Sequence, residues 1–92
     1  MLPLIPYHDL DAVVRDADVG VLGLGGSIWT ADLKRGVALA QELHCGTAWV
    51  NQRGALTAAL PMPFAKQSGI GIDYAHFGLA EHSRLMLLNA RA

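Results

Sequence analysis

Ser27-Ile28-Trp29-Thr30 and Thr47-Ala48-Trp49-Val50-Asn51, with Asp32 to Leu43 between them, decide the fold. Both outer stretches are short, apolar and rich in β-branched or aromatic residues, so each reads as a strand. The second has a continuous apolar middle, which suits burial on both faces. Between them, Thr30 or Asp32 can cap a helix, and Leu33, Val37, Ala40 and His44 recur on one stripe with Leu43 beside it. Lys34, Gln41 and Glu42 fall on the outer side, and Gly46 stands where a glycine commonly ends a helix. Strand, helix and strand in that order imply a parallel pair joined by a right-handed crossover.

Working outward, Leu2 to Tyr7 is apolar but interrupted by Pro3 and Pro6, which cannot donate to a sheet, so it reads as an edge-like strand. Asp9 can cap a helix whose stripe is Leu10, Val13, Val14 and Ala17, with Asp11, Arg15 and Asp18 facing away. After Asn51, residues 52–72 follow neither period and read as a long ordered loop of functional type. A short helix over 73–83 follows, and Leu85-Met86-Leu87-Leu88 reads as a final strand. The expectation is one α/β domain over 1–92. Residues 1–51 would form a βαβαβ parallel-sheet unit, 52–72 the loop, 73–83 a helix and 84–92 a C-terminal strand.

Composition adds a constraint. Only 16% of residues are charged, against ~25% in an ordinary soluble domain, while 52% are hydrophobic and ten are glycine. A chain of 92 residues has much surface for its volume, so this balance leaves apolar area that another polypeptide must cover. The implied partner is a second copy or another chain. A net charge of −1 without a basic run excludes a nucleic-acid footprint. No stretch is long and apolar enough for a membrane span, and no basic leader precedes an apolar run. One cysteine cannot build a disulfide framework, which fits a reducing, cytoplasmic setting.

Three features could carry chemistry. Gly23-Leu24-Gly25-Gly26 looks like the start of a dinucleotide-binding turn, but Ile28 stands at the third glycine position and Asn51 where an acidic residue is expected. A small nucleotide-binding module using Gly23–Gly26, with Arg53 near a 2′-phosphate, is thus one reading; a glycine turn feeding a strand is the plainer one. His44-Cys45 invites a thiol–base reading, yet adjacent side chains at a helix end diverge, and Cys45 reads as a small buried residue at the helix–strand junction. His8, His44, His76 and His82 lack the spacing of a zinc site. Trp29 and Trp49, mid-strand, read as core.

The motif series Tyr7-His8-Asp9-Leu10-Asp11-Ala12-Val13, Gly23-Leu24-Gly25-Gly26-Ser27-Ile28-Trp29-Thr30, Gly46-Thr47-Ala48-Trp49-Val50-Asn51-Gln52, Lys66-Gln67-Ser68-Gly69-Ile70-Gly71 and Gly78-Leu79-Ala80-Glu81 resembles the C-terminal part of the NAD(P)-dependent aldehyde dehydrogenases. The resemblance implies a piece of that family's catalytic domain followed by its oligomerisation strand, here Leu85–Leu88. It implies that Asn51, Gln52, Leu56 and Met62 lie along the aldehyde tunnel. It also implies that the carbonyls of Lys66 and Gly69 fall where betaine aldehyde dehydrogenase relatives hold an intersubunit potassium ion. Pro63 and Phe64 replace two glycines of the family pattern, and Leu22 replaces an aromatic; proline and phenylalanine forbid backbone shapes that glycine allows. The family's nucleophilic cysteine, general-base glutamate, oxyanion asparagine and ribose-binding glutamate match nothing in this chain. The implied protein is a truncated, split or remnant dehydrogenase, with no catalytic residue and no cofactor bound by this chain alone, where the whole family member would use NAD or NADP.

Overall fold

All 92 residues are described by a computed structural model. Helix α1 spans Leu10–Asp18, strand β1 Gly25–Ile28, helix α2 Leu33–Glu42 and strand β2 Thr47–Val50. Two short strands, β3 (Met62–Pro63) and β4 (Ile72–Asp73), and helix α3 (Ala75–Glu81) complete the chain. β1 and β2 are parallel, with Gly25 opposite Thr47 and Ile28 opposite Val50. This is the expected α/β unit, with α2 as its crossover and two ladder strands.

Local chemistry explains the ends. The Asp9 carboxylate accepts the Asp11 amide at 3.0 Å and caps α1. The Asp32 carboxylate accepts the Arg35 amide at 3.0 Å and caps α2. α2 ends at an extended Leu43, so Gly46 is not its terminator. A side chain at Gly46 would instead meet the Pro63 carbonyl, whose oxygen lies 1.9 Å from the Cβ position. Glycine is required there because β2 begins against β3.

Several expectations change. Leu2–Tyr7 forms no strand and is exposed, since its two prolines leave too few donors for a ladder. The apolar stripe of α2 is rotated: Leu33 and Val37 are 60% and 46% exposed, and His44 lies beyond the helix. Gly36 sets that rotation. A Cβ on it would lie 2.7 Å from Thr30 Cγ2 and 2.8 Å from Val50 Cγ1, so the helix approaches the sheet along Gly36, Leu39, Ala40 and Leu43. Trp29 falls one residue past the last ladder pair and is 68% exposed, so it is no core residue. The loop after β2 contains the antiparallel pair β3–β4, extended by the Phe64 amide donating to the Gly71 carbonyl at 3.1 Å. α3 is shorter than expected, and Leu85–Leu88 pair with nothing in the chain.

The core is missing. The three buried residues are Gly23, Gly36 and Gly78, and no hydrophobic side chain is fully enclosed. The radius of gyration is 17.9 Å, against ~12 Å for a compact chain of this length. Accessible surface is 7916 Å², where a folded monomer of 9.8 kDa exposes ~5,200 Å². No helix is long and apolar enough to cross a membrane.

Candidate functional site

The loop leaving β2 is held at its start by one side chain. Asn51 has a φ of 55°, a left-handed backbone that asparagine tolerates better than most residues. Its Oδ1 accepts the Thr30 amide at 2.8 Å and its Nδ2 donates to the Thr30 carbonyl at 2.8 Å. The amide side chain thus continues the β1–β2 ladder one step beyond its last backbone pair. Both polar ends of Asn51 are engaged, and its side chain is not among those lining the nearby concavity.

That concavity, about 490 Å³, lies between the β2 edge and the loop. Gln52, Leu56 and Met62, three of the four expected tunnel positions, meet there with Trp49, Leu60 and Pro61. The Trp49 indole N–H donates to the Ala55 carbonyl at 3.4 Å and pins the ring over the loop. No residue lining the concavity is charged, so Gln52 and two threonines are its polar side chains. Such a surface fits an apolar group and offers nothing to stabilise a buried charge.

The return arm is tied down differently. The Gln67 amide donates to the Val21 carbonyl at 2.9 Å, and the Gly23 amide donates to Ser68 Oγ at 2.9 Å. Phe64, where the family pattern has glycine, packs its ring 3.2 Å from the Cβ position of Gly69. Lys66 and Gly69 both have positive φ, 53° and 141°, in a turn closed by the Ser68 amide and the Ala65 carbonyl. No group of three or more acidic, histidine or cysteine side chains is placed to hold a metal ion.

The glycine run does not form a phosphate cradle. Gly25 and Gly26 lie inside β1 rather than in the turn between a strand and the helix that follows it. Gly25 is small because the Trp49 ring covers it, 2.6 Å from its Cβ position. The Gly23 amide is already spent on Ser68.

His44 and Cys45 serve different partners. The half-buried Cys45 thiol donates to the Thr47 carbonyl at 3.3 Å. The His44 Nδ1 lies 3.2 Å from Asp18 Oδ2, and its amide donates to Asp18 Oδ1 at 3.0 Å. Lys66 Nζ also reaches Asp18, 3.5 Å from Oδ1, and donates to the Asp18 carbonyl at 2.9 Å. The His44 amide bond, then the His44 and Lys66 charges, hold the Asp18 carboxyl below its ordinary value against the opposing effect of burial. Sequence reasoning placed Asp18 on a solvated helix face and His44 on a helix stripe. Nothing in the spacing of residues 18, 44 and 66 signals that they meet.

Comparison with known proteins agrees with this architecture. The aldehyde dehydrogenase family profile matches residues 1–87. Phenylacetaldehyde dehydrogenase of Pseudomonas fluorescens is 39% identical over 74 residues, covering 80% of this chain and 15% of that protein. Succinate-semialdehyde dehydrogenase [NADP(+)] of Deinococcus radiodurans is 33% identical over 83 residues, 90% of this chain and 17% of that protein. The crystal structure of a Mycobacterium tuberculosis aldehyde dehydrogenase complexed with NAD+ superposes with a TM-score of 0.79 at 32% identity, covering 84% of this chain and 16% of that one. The chain therefore spans about one-sixth of the length of the relatives it matches. By its sequence, its parallel α/β unit and its neighbours, the chain belongs to the aldehyde dehydrogenase family.

Proposed function

We propose that this chain is late scaffold of an NAD(P)-dependent aldehyde dehydrogenase and has no catalysis of its own. In the complete reaction an aldehyde, water and oxidised nicotinamide give a carboxylic acid and reduced nicotinamide. That chemistry needs a thiolate to add to the carbonyl, a cofactor to take hydride and a base to activate water. Cys45 is hydrogen-bonded to a backbone carbonyl and has no base beside it; His44 is turned onto Asp18. The uncharged concavity at Gln52, Leu56 and Met62 suits a wall of the aldehyde tunnel rather than the reacting centre.

The observation that carries the reading is the missing core. The chain exposes about 2,700 Å² beyond a folded monomer of its size. A standard interface hides only ~800 Å² per partner, so the excess is that of an obligate contact. A second copy or another chain would cover it, with Leu85–Leu88 as a strand awaiting a sheet edge.

The test is turnover by the purified chain with phenylacetaldehyde and NAD or NADP, read as formation of reduced nicotinamide. None is expected. Reduction that disappears in Cys45→Ala would refute the proposal.

A further inference from the structure

Asp18 is where three otherwise separate segments meet: the last turn of α1, the exit of α2 at His44, and the return arm of the loop at Lys66. We propose that Asp18 is a positioning residue, and that its ion pair with Lys66 holds the return arm, and with it Met62 and Phe64, against the scaffold. Its value to function rests on the reading of that loop as tunnel wall; the contact itself does not.

Three observations support it. Lys66 is sheltered, with a side chain 23% exposed against 19% for Asp18, unlike His44 at 81%. Its ammonium sits on the last carbonyl of α1, where a cation complements the helix dipole, and on the carboxylate of the same residue. The backbone of Lys66 is left-handed, a conformation that a β-carbon disfavours and that persists where surrounding contacts over-determine it. Those contacts flank it on both sides. Leu22 bridges to Lys66, Gln67 binds Val21 and Ser68 binds Gly23. By contrast, residues 51–60 are all exposed, and their anchors are uncharged: the Asn51 side chain, the Trp49 indole and the Ala75 amide, which donates to the Ala58 carbonyl at 3.0 Å. The one charge-assisted contact of the arm is therefore the Asp18 pair at its return end.

Hydrogen exchange of the full chain tests this at four backbone amides. Gln67 and Gly23 report the arm; Thr47 and Asn51, bonded to Leu24 and Ile28 at 3.2 and 2.8 Å, report the sheet. Asp18→Asn and Lys66→Met should each speed exchange at Gln67 and Gly23 about two- to fivefold, the range of a partly exposed ion pair, with Thr47 and Asn51 unchanged. Lys66→Arg, which keeps the cation, should restore protection, and the double variant should be no worse than Lys66→Met. Unchanged exchange in Lys66→Met, an equal rise at all four amides, or a chain with no protection at Gln67 would overturn the proposal. Cofactor reduction by the chain would end the reading of it as inert scaffold and leave this junction standing.

Discussion

Glycine substitutions probe the packing of the scaffold with an internal scale. At Gly46 a new Cβ would sit 1.9 Å from the Pro63 oxygen and 2.7 Å from the Pro63 carbon. Ordinary contact begins at 3.4 Å, so one backbone must retreat by about 1.5 Å from the other. The obstacle is main chain on both sides, and no rotamer change relieves it. Overpacking of well-ordered sites costs ~1–3 kcal/mol, and Gly46→Ala should reach the upper end of that range or exceed it. Two controls separate this clash from generic glycine effects. Gly20 has nothing within 4 Å of its Cβ position and no left-handed backbone, so Gly20→Ala should be neutral or stabilising by up to ~1 kcal/mol through the unfolded chain. Gly54 is equally open but has a φ of 67°, so Gly54→Ala should cost ~1–2 kcal/mol from backbone strain alone. Urea midpoints followed by tryptophan fluorescence, at one fixed protein concentration so that any association contributes equally to each variant, give the order directly. A Gly46→Ala midpoint equal to that of Gly20→Ala would refute the close approach of β2 to β3.

Asn51→Ala removes two side-chain hydrogen bonds, each worth ~0.5–1.5 kcal/mol, and leaves a left-handed alanine, so the same midpoint should fall by about 2–3 kcal/mol. Asn51→Asp keeps the bond to the Thr30 amide and faces the Thr30 carbonyl with a negative charge; it should also be destabilising, and an unchanged midpoint would show that the amide is not a ladder extension. Acid should act through Asp18. Its folded pKa lies below the ordinary 3.8, so its stabilising contribution is complete above that value and is lost as pH falls through the depressed one. The pH dependence of the midpoint in that acid window should flatten in Asp18→Asn. Leu87→Lys places a charge in the exposed apolar tail and should lower the association state seen by light scattering; a monodisperse monomer in the unsubstituted chain would count against the proposed partner surface.

Much of the architecture was legible in residues 27–51. A short apolar run, a stripe of period 3.6 and a second short apolar run are local signals, and Asp32 is a local cap, so the strand–helix–strand unit required no knowledge of distant contacts. The rotation of α2 was not legible. Ala40 and Leu43 face inward as their spacing implies, but Leu33 and Val37 are as apolar as Leu39, and the choice between them was made by the room that Gly36 leaves for Thr30 and Val50. The candidate concavity was legible in part. Gln52, Leu56 and Met62 were named from motif order, but the diversion of the Asn51 side chain to Thr30 depends on where β1 ends.

Sequence alone therefore determined the α/β class, the family to which the chain belongs and the apolar excess of its composition. Those follow from composition, short-range periodicity and motif order. Tertiary structure alone decided which apolar residues face inward, why Gly46 cannot carry a side chain, and that Asp18, His44 and Lys66 share one junction. These depend on contacts such as Gly36 with Val50, Gly46 with Pro63 and Asp18 with Lys66, between 14 and 48 positions apart, and such proximity is a property of the folded path that no local pattern encodes.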